Sequence, residues 1–210
     1  MAKFALGCFG ILVLLVVVLL IGGCNSYNGL VRLSQDVDSQ WADVQTQYQR
    51  RADLIPNLVN TVSGAANFEK STLTEITDAR ASVGQVRLDP TKAPTDPQQL
   101  AQFQQAQNQL GGALSRLLVV AENYPTLQAD SNFRDLQAEL EGTENRIAVA
   151  RKNFNDSTQA YDTAIRTFPA VLYAGAMGFP NKPYFESTAG AATPPTVNFN
   201  FGGATPAPSP

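Results

Sequence analysis

The chain contains no histidine among its 210 residues. That absence excludes a Ser-His-Asp triad, a Cys-His pair, a His-ligated zinc site and the Glu-x-x-His di-iron pattern. Cysteine is nearly as scarce: Cys8 and Cys24 are the only two, both in or beside an apolar N-terminus. Nothing further along can form a disulfide, a thiolate nucleophile or a thiolate metal site. The shortage fits a reducing compartment and a disulfide-free exported protein equally. Positive charge is also wanting. The formal net charge is -3, and Lys3 is the only charged residue before Cys24, so the rest holds 14 basic against 18 acidic side chains. Nucleic acid requires basic residues clustered on one face, and none is expected as a partner. Convincing period-two alternation is missing too, so no sheet is expected.

What is present begins with FALGCFGILVLLVVVLLIGG, residues 4–23, twenty positions without a charge. At about 1.5 Å per residue this run covers the roughly 30 Å hydrocarbon core of a bilayer. It exceeds the apolar region of about 7–15 residues usual in a cleaved secretory signal. Residues 21–24, IGGC, resemble a lipobox ending in Cys24, the residue that would be acylated. The bland alternative is a small-residue helix end with Cys24 incidental. The length of the run and the solitary Lys3 favour an uncleaved transmembrane helix, and both readings attach the chain to a membrane.

From Tyr27 the pattern becomes heptad-like. Tyr27, Leu30, Val37, Trp41, Val44, Tyr48 and Ile55 form one stripe, interrupted by Ser34 and Arg51. Such spacing suits helices packed nearly parallel. The first helix is expected to stop at Asp53, with Asp53 as N-cap and Pro56 in the first turn of a second helix over about 54–86. Pro90, Pro94 and Pro97 then mark a mobile surface loop over 89–97. A third helix follows on Leu100, Phe103, Gln107, Leu110, Leu114, Leu117, Ala121 and Tyr124, with Gly111-Gly112 permitting a close helix approach. A fourth, over 126–167, carries Phe133, Leu136, Leu140, Thr143, Ile147, Ala150, Phe154, Ser157, Tyr161, Ala164 and Phe168. Residues 171–178 suit a short helix, GFPNKPYF reads as a packed strap, and the Gly/Pro/Ala/Thr-rich 189–210 as a disordered tail.

The expected fold is therefore all-α: an antiparallel up-and-down four-helix bundle with an N-terminal transmembrane helix. The parts are a short tail at 1–3, the anchor at 4–23, the bundle at 24–188 and the tail at 189–210.

SYNGLV (26–31), QYQRRADLIPNLVNTV (47–62), FEKSTLTEITDARA (68–81), NFRDLQAELEGTENRIAVARKNFND (132–156), IRTFP (165–169) and GFPNKPYFE (178–186) resemble the LemA family of bacterial membrane-anchored proteins. Together they span most of residues 26–186 in order. QRRADLIPNLV and LEGTENRIAVAR are the most specific. The resemblance implies an N-terminal membrane segment and a helical bundle, and brings no catalytic residues. Two positions depart from the family pattern: Phe154 where tyrosine is common, and Asp162 where asparagine often follows Tyr161.

Two charged clusters offer themselves. Arg50, Arg51 and Asp53 could dock a partner's carboxylate, since arginine presents a bidentate fork; the bland reading, favoured here, is a structural corner. Arg51, lying on the stripe, would want a carboxylate from the run Glu139, Glu141, Glu144. Those carboxylates suit a solvated helix face better than acid–base work, and Lys70, Lys92, Lys152 and Lys182 lack a serine at helical spacing. No catalytic, cofactor-binding or metal-ligating residue is assigned, and no cofactor is expected. The function read from the sequence is a non-catalytic scaffold or adaptor for envelope proteins; a ligand-sensing bundle is the alternative. The thin basic excess at the N-terminus places the body outside the cytoplasm.

Overall fold

The computed structural model describes residues 2–65 and 68–186, with only the backbone described for 2–13 and 15–20. Every regular element among them is helical: α1 (Ala2–Ser63), α2 (Lys70–Gln85), α3 (Pro97–Ala121), α4 (Pro125–Ala129), α5 (Ser131–Arg166) and a single 3₁₀ turn, Ala170–Leu172. The tail at 189–210 lies outside the described residues.

The largest correction falls on Pro56. No helix ends at Asp53; α1 continues through Pro56 to Ser63, 62 residues in one piece. A proline inside a helix costs about 3 kcal/mol. Around it Leu54, Ile55, Leu58 and Val62 are all buried, and burying each stabilises by about 1.5–3 kcal/mol. Four such side chains outweigh one proline. Asp53 is accordingly no N-cap: it is exposed and accepts a hydrogen bond from Gln49 Nε2 at 2.7 Å, one turn back on the same helix. The turn comes instead after Ser63, where Ala65 N donates to Val62 O at 3.1 Å, and α2 is correspondingly short.

The fourth predicted helix is divided. Asp130 accepts from the backbone of Asn132 at 2.7 Å and Phe133 at 3.2 Å. That carboxylate satisfies two otherwise unpaired amides at the start of α5, and it leaves residues 125–129 as the separate turn α4. Asp96 does the same for α3, accepting from Gln98 N at 2.9 Å with Pro97 in the first turn.

The helices pair as α1 with α5 and α2 with α3. Arg50–Glu139 near one end and Trp41–Phe154 further along make the first pair antiparallel. Large side chains bridge the pairs: Phe103 of α3 meets both Trp41, at 5.7 Å between centroids, and Tyr48, at 5.1 Å. Two apolar clusters result. One holds Val37, Trp41, Phe103, Ile147 and Phe154; the other holds Leu58, Val62, Leu110, Leu117 and Phe133.

The proline-rich connection before α3 is packed, contrary to the mobile loop expected. Trp41 Nε1 donates to Asp89 O at 2.8 Å, Asp38 accepts from Ala93 N at 3.0 Å, and Ala93 is buried. Gly111-Gly112 does not mark a close helix approach either. A Cβ at Gly112 would meet nothing within 4 Å, and one at Gly111 only Arg51 Nη1 at 3.7 Å. The strap, residues 179–186, is extended and lies against α1, α3 and α5. Residues 171–178 form turns, with no helix beyond Ala170–Leu172.

Candidate functional site

Two polar assemblies stand out from the apolar interior. The first separates the two clusters. Arg51, Gln107 and Thr143 each occupy a core position of their helices, and all three are buried. Arg51 Nη1 donates to Glu144 Oε1 at 2.8 Å, while Nη2 donates to the Gln107 backbone carbonyl at 3.0 Å and to Gln107 Oε1. The guanidinium carbon lies 5.0 Å from the Tyr48 ring centroid. Thr143 bonds back to Glu139 O at 2.8 Å. Glu144 is about half exposed (48%) while Arg51 is 3% exposed. The pair thus reaches from the core to water, and the anionic end retains its solvation.

Burial pushes the Tyr48 phenol up from its ordinary range, with Arg151 and Arg51 nearby pulling it down. Arg50 sits outside this layer, exposed and paired with Glu139 at 2.8 Å. It borders an open groove of about 860 Å³ lined by Gln45, Gln49, Asp53, Asn57 and Pro90. The groove is open to solvent, with no enclosed chamber for a small ligand.

The second assembly holds the strap. Lys182 Nζ, 6% exposed, donates to Asp38 Oδ1 at 2.7 Å and to Ser34 O at 3.4 Å, and lies 5.4 Å from the Tyr161 ring centroid. Asp162 accepts from Lys182 N at 3.3 Å and Tyr184 Oη at 3.4 Å. Tyr161 Oη donates to Pro180 O at 2.9 Å. Burial, then the charges of Asp162 and Asp38, push the Tyr161 phenol up to about 12. Burial and the Asp162 carboxylate, which also accepts its hydrogen bond, raise Tyr184. Both phenols stay protonated at neutral pH and work as donors. Neither is a base.

Further along, side-chain amides grip the strap backbone. Asn155 donates to Phe185 O at 3.0 Å and accepts from Phe185 N at 2.9 Å. Gln104 does likewise with Glu186, at 2.8 and 3.3 Å, and Arg151 donates to Glu186 O at 2.9 Å. The Phe185 ring enters the aromatic cluster 5.5 Å from Phe154 and 6.2 Å from Trp41. The departure at Asp162 therefore sits inside this latch, and Phe154 lies buried under Phe185.

The structure brings Arg50 and Arg51 to the Glu139–Glu144 face but leaves Asp53 apart on the surface of α1. Cys24 is exposed on α1 with a free thiol. Among the described residues, no three His, Cys, Asp or Glu side chains are placed to hold a metal. Nor is any helix long and apolar enough to cross a membrane; most side chains of residues 4–23 lie outside those described. The strap's partners Asn155, Gln104 and Arg151 escaped the sequence reading, because an amide clamp leaves no spacing rule. Their one signal is that GFPNKPYFE combines two prolines with three aromatic residues and has no helical stripe to explain them.

This arrangement defines an all-helical protein whose polar residues tie elements together. Residues 40–199 match the LemA family, and the chain belongs to that family. It is 27% identical over 183 residues to magnetosome protein MamQ of Magnetospirillum gryphiswaldense, covering 80% of this chain and 67% of that protein. A MamQ protein of Paramagnetospirillum magneticum is 27% identical over 187 residues, with 80% and 67% covered. Protein LemA of Metamycoplasma hominis is 23% identical over 161 residues, covering 77% and 69%.

Proposed function

We propose that this protein is a non-catalytic scaffold held on a membrane by residues 4–23, whose helices α1, α2, α3 and α5 form an antiparallel bundle that docks envelope proteins. The observation that carries this reading is the continuity of α1. One helix of 62 residues leads from the apolar run into the body without a break. Such a stalk holds the body at a fixed height and angle, as a docking platform requires. The polar assemblies support it from the other side. Their carboxylates and cations are engaged with one another or with backbone, and the phenols are held neutral. A ligand sensor has less behind it, because the groove beside Arg50 is open. The helix is read as uncleaved, with Cys24 unacylated, and the body as extracytoplasmic.

The test is fractionation of the full chain followed by co-purification. The chain should resist salt and alkaline washing of membranes and be released by detergent, whereas deleting residues 4–23 should free it. Detergent extracts should yield a reproducible set of envelope proteins. Release of the full chain by salt alone would overturn the anchor. Protection of the body from protease in spheroplasts would put it on the cytoplasmic side.

A further inference from the structure

The end of the body nearest the apolar run carries an apolar cap of its own, and we propose that this cap sits in the lipid headgroup region as a second membrane contact. The inference rests on the reading of residues 4–23 as an anchor. The cap is the connection between α5 and the strap. Residues 167–181, TFPAVLYAGAMGFPN, contain no charged side chain. Phe168 is 76% exposed and Leu172 75%, with Val171 and Met177 also exposed. Among the described residues, the large exposed apolar side chains beyond Ile21 are these four, Tyr27, Val119, Val149 and Tyr184. Most of that surface is thus gathered at one end, and clustered exposed apolar area marks a contact surface.

The cap's position is fixed by contacts to α1. Tyr173 Oη bonds to Ser26 Oγ at 2.6 Å, the Tyr27 and Phe179 rings meet at 5.5 Å, and Leu30 packs in one cluster with Ile165, Ala170 and Ala174. Ser26 lies three residues beyond Gly23, about 4.5 Å along a helix at 1.5 Å per residue. The headgroup layer adds roughly 5–7 Å to each side of the hydrocarbon core. A group level with Ser26 therefore falls within that layer. Water alone would leave Phe168 and Leu172 unburied where lipid is within reach.

Charge agrees. After Lys3 the first charged residue on α1 is Arg32, and the residue preceding the cap is Arg166. Arg166 also reaches Asn181 Oδ1 at 3.0 Å and lies 3.8 Å from Asp162 Oδ2. Both arginines are exposed, whereas Lys182 after the cap is buried. Cations just above an uncharged tip match lipid phosphates, and tyrosines beside it match the interfacial preference of that ring.

The test uses the full chain in vesicles of phosphatidylcholine and phosphatidylglycerol whose acyl chains carry bromine, a short-range quencher of tryptophan. One set carries it near the headgroup to report on the cap, and a second near the bilayer midplane to report on Leu14, about 13.5 Å inside Gly23. Three single variants each add one tryptophan: Leu172→Trp in the cap, Val149→Trp on the body, and Leu14→Trp in the apolar run. Native Trp41 is about 27 Å beyond Gly23 along α1 and supplies an unquenched background. Leu172→Trp should show blue-shifted emission that loses intensity in brominated vesicles, and Val149→Trp should not. Met177→Trp provides a second cap position should Leu172→Trp fold poorly. Quenching at Leu14→Trp without quenching at the cap would overturn the contact, leave the anchor standing, and assign the apolar tip to a protein partner. No quenching at either would overturn both.

Discussion

Trp41 is fully buried, within 5.7–6.2 Å of the rings of Phe103, Phe154 and Phe185, and its indole N–H is satisfied by Asp89 O. Truncating it should cost about 3–5 kcal/mol, and it would also leave the Asp89 carbonyl without its donor. Trp41→Ala should therefore lower the denaturation midpoint sharply, and the wild-type indole should emit at short wavelength; solvent-like emission from the folded protein would remove Trp41 from the core. Arg51 tests a different force. Its loss strands two acceptors of Gln107, at about 1–3 kcal/mol for each buried group left unpaired, while half-exposed Glu144 returns to water cheaply. Arg51→Ala should lower the melting temperature of the chain. Unchanged melting together with lost co-purification would make Arg51 a docking residue instead. Tyr161 adds a pH signature. Its folded-state pKa is raised to about 12 from an ordinary 10.0. The folded state thus keeps a proton that the unfolded state gives up first. The stabilisation is complete below about pH 10 and fades as pH rises toward 12, so Tyr161→Phe should flatten the alkaline limb of the stability profile. An alkaline limb identical in both proteins would assign the loss to other groups.

At the scale of elements, Pro56 is a local preference overruled by burial. With the helix already continuous through it, replacing the proline restores one backbone donor and removes a ring clash. Pro56→Ala should stabilise by up to about 3 kcal/mol; a loss of stability by chemical denaturation would mean the proline shapes α1 in a way its neighbours need. The same contest explains what could be read in advance. The long helical stripes were legible because most of their steps of three and four fall on apolar or small residues. The polar layer was legible in pieces, as Arg51, Gln107 and Thr143 each interrupt or weaken a stripe. What spacing could not supply is register, since a helix slid by one turn keeps its stripe. Only the packed structure puts those three residues at one level and Glu144 beside them. The end of α1 was misread because proline and aspartate are strong local signals, whereas the apolar contacts that override them come from α2, α3 and α5. The strap was legible only as a segment, because its grip depends on Asn155, Gln104 and Arg151 meeting main chain distant in sequence.

For the whole molecule, the unbroken α1 turns a local feature into a prediction about height. Ser63 is 40 residues beyond Gly23, which at 1.5 Å per residue is about 60 Å along the helix. With residues 4–23 spanning the bilayer as proposed, a tilt near 20°, ordinary for membrane helices, would shorten the perpendicular height to about 56 Å. Had α1 ended at Asp53, the next helix would have folded back and the body would stand about 15 Å lower. The distinction matters for a scaffold, since height sets which partners its far end can reach. The membrane contact proposed for the apolar cap bears on the same quantity: resting on the bilayer beside Ser26, the cap would oppose tilting toward that side and keep α1 upright. Energy transfer from a fluorophore on Ser63→Cys, in a background with Cys8 and Cys24 replaced by serine, to acceptors at the surface of a supported bilayer measures it directly. The expected distance is about 55–60 Å. Replacing Phe168 and Leu172 with glutamate should broaden the distance distribution toward shorter values, because the cap would no longer brace the helix. A short distance in the unmodified chain would mean that the body lies down on the membrane, and the upright platform would have to be abandoned.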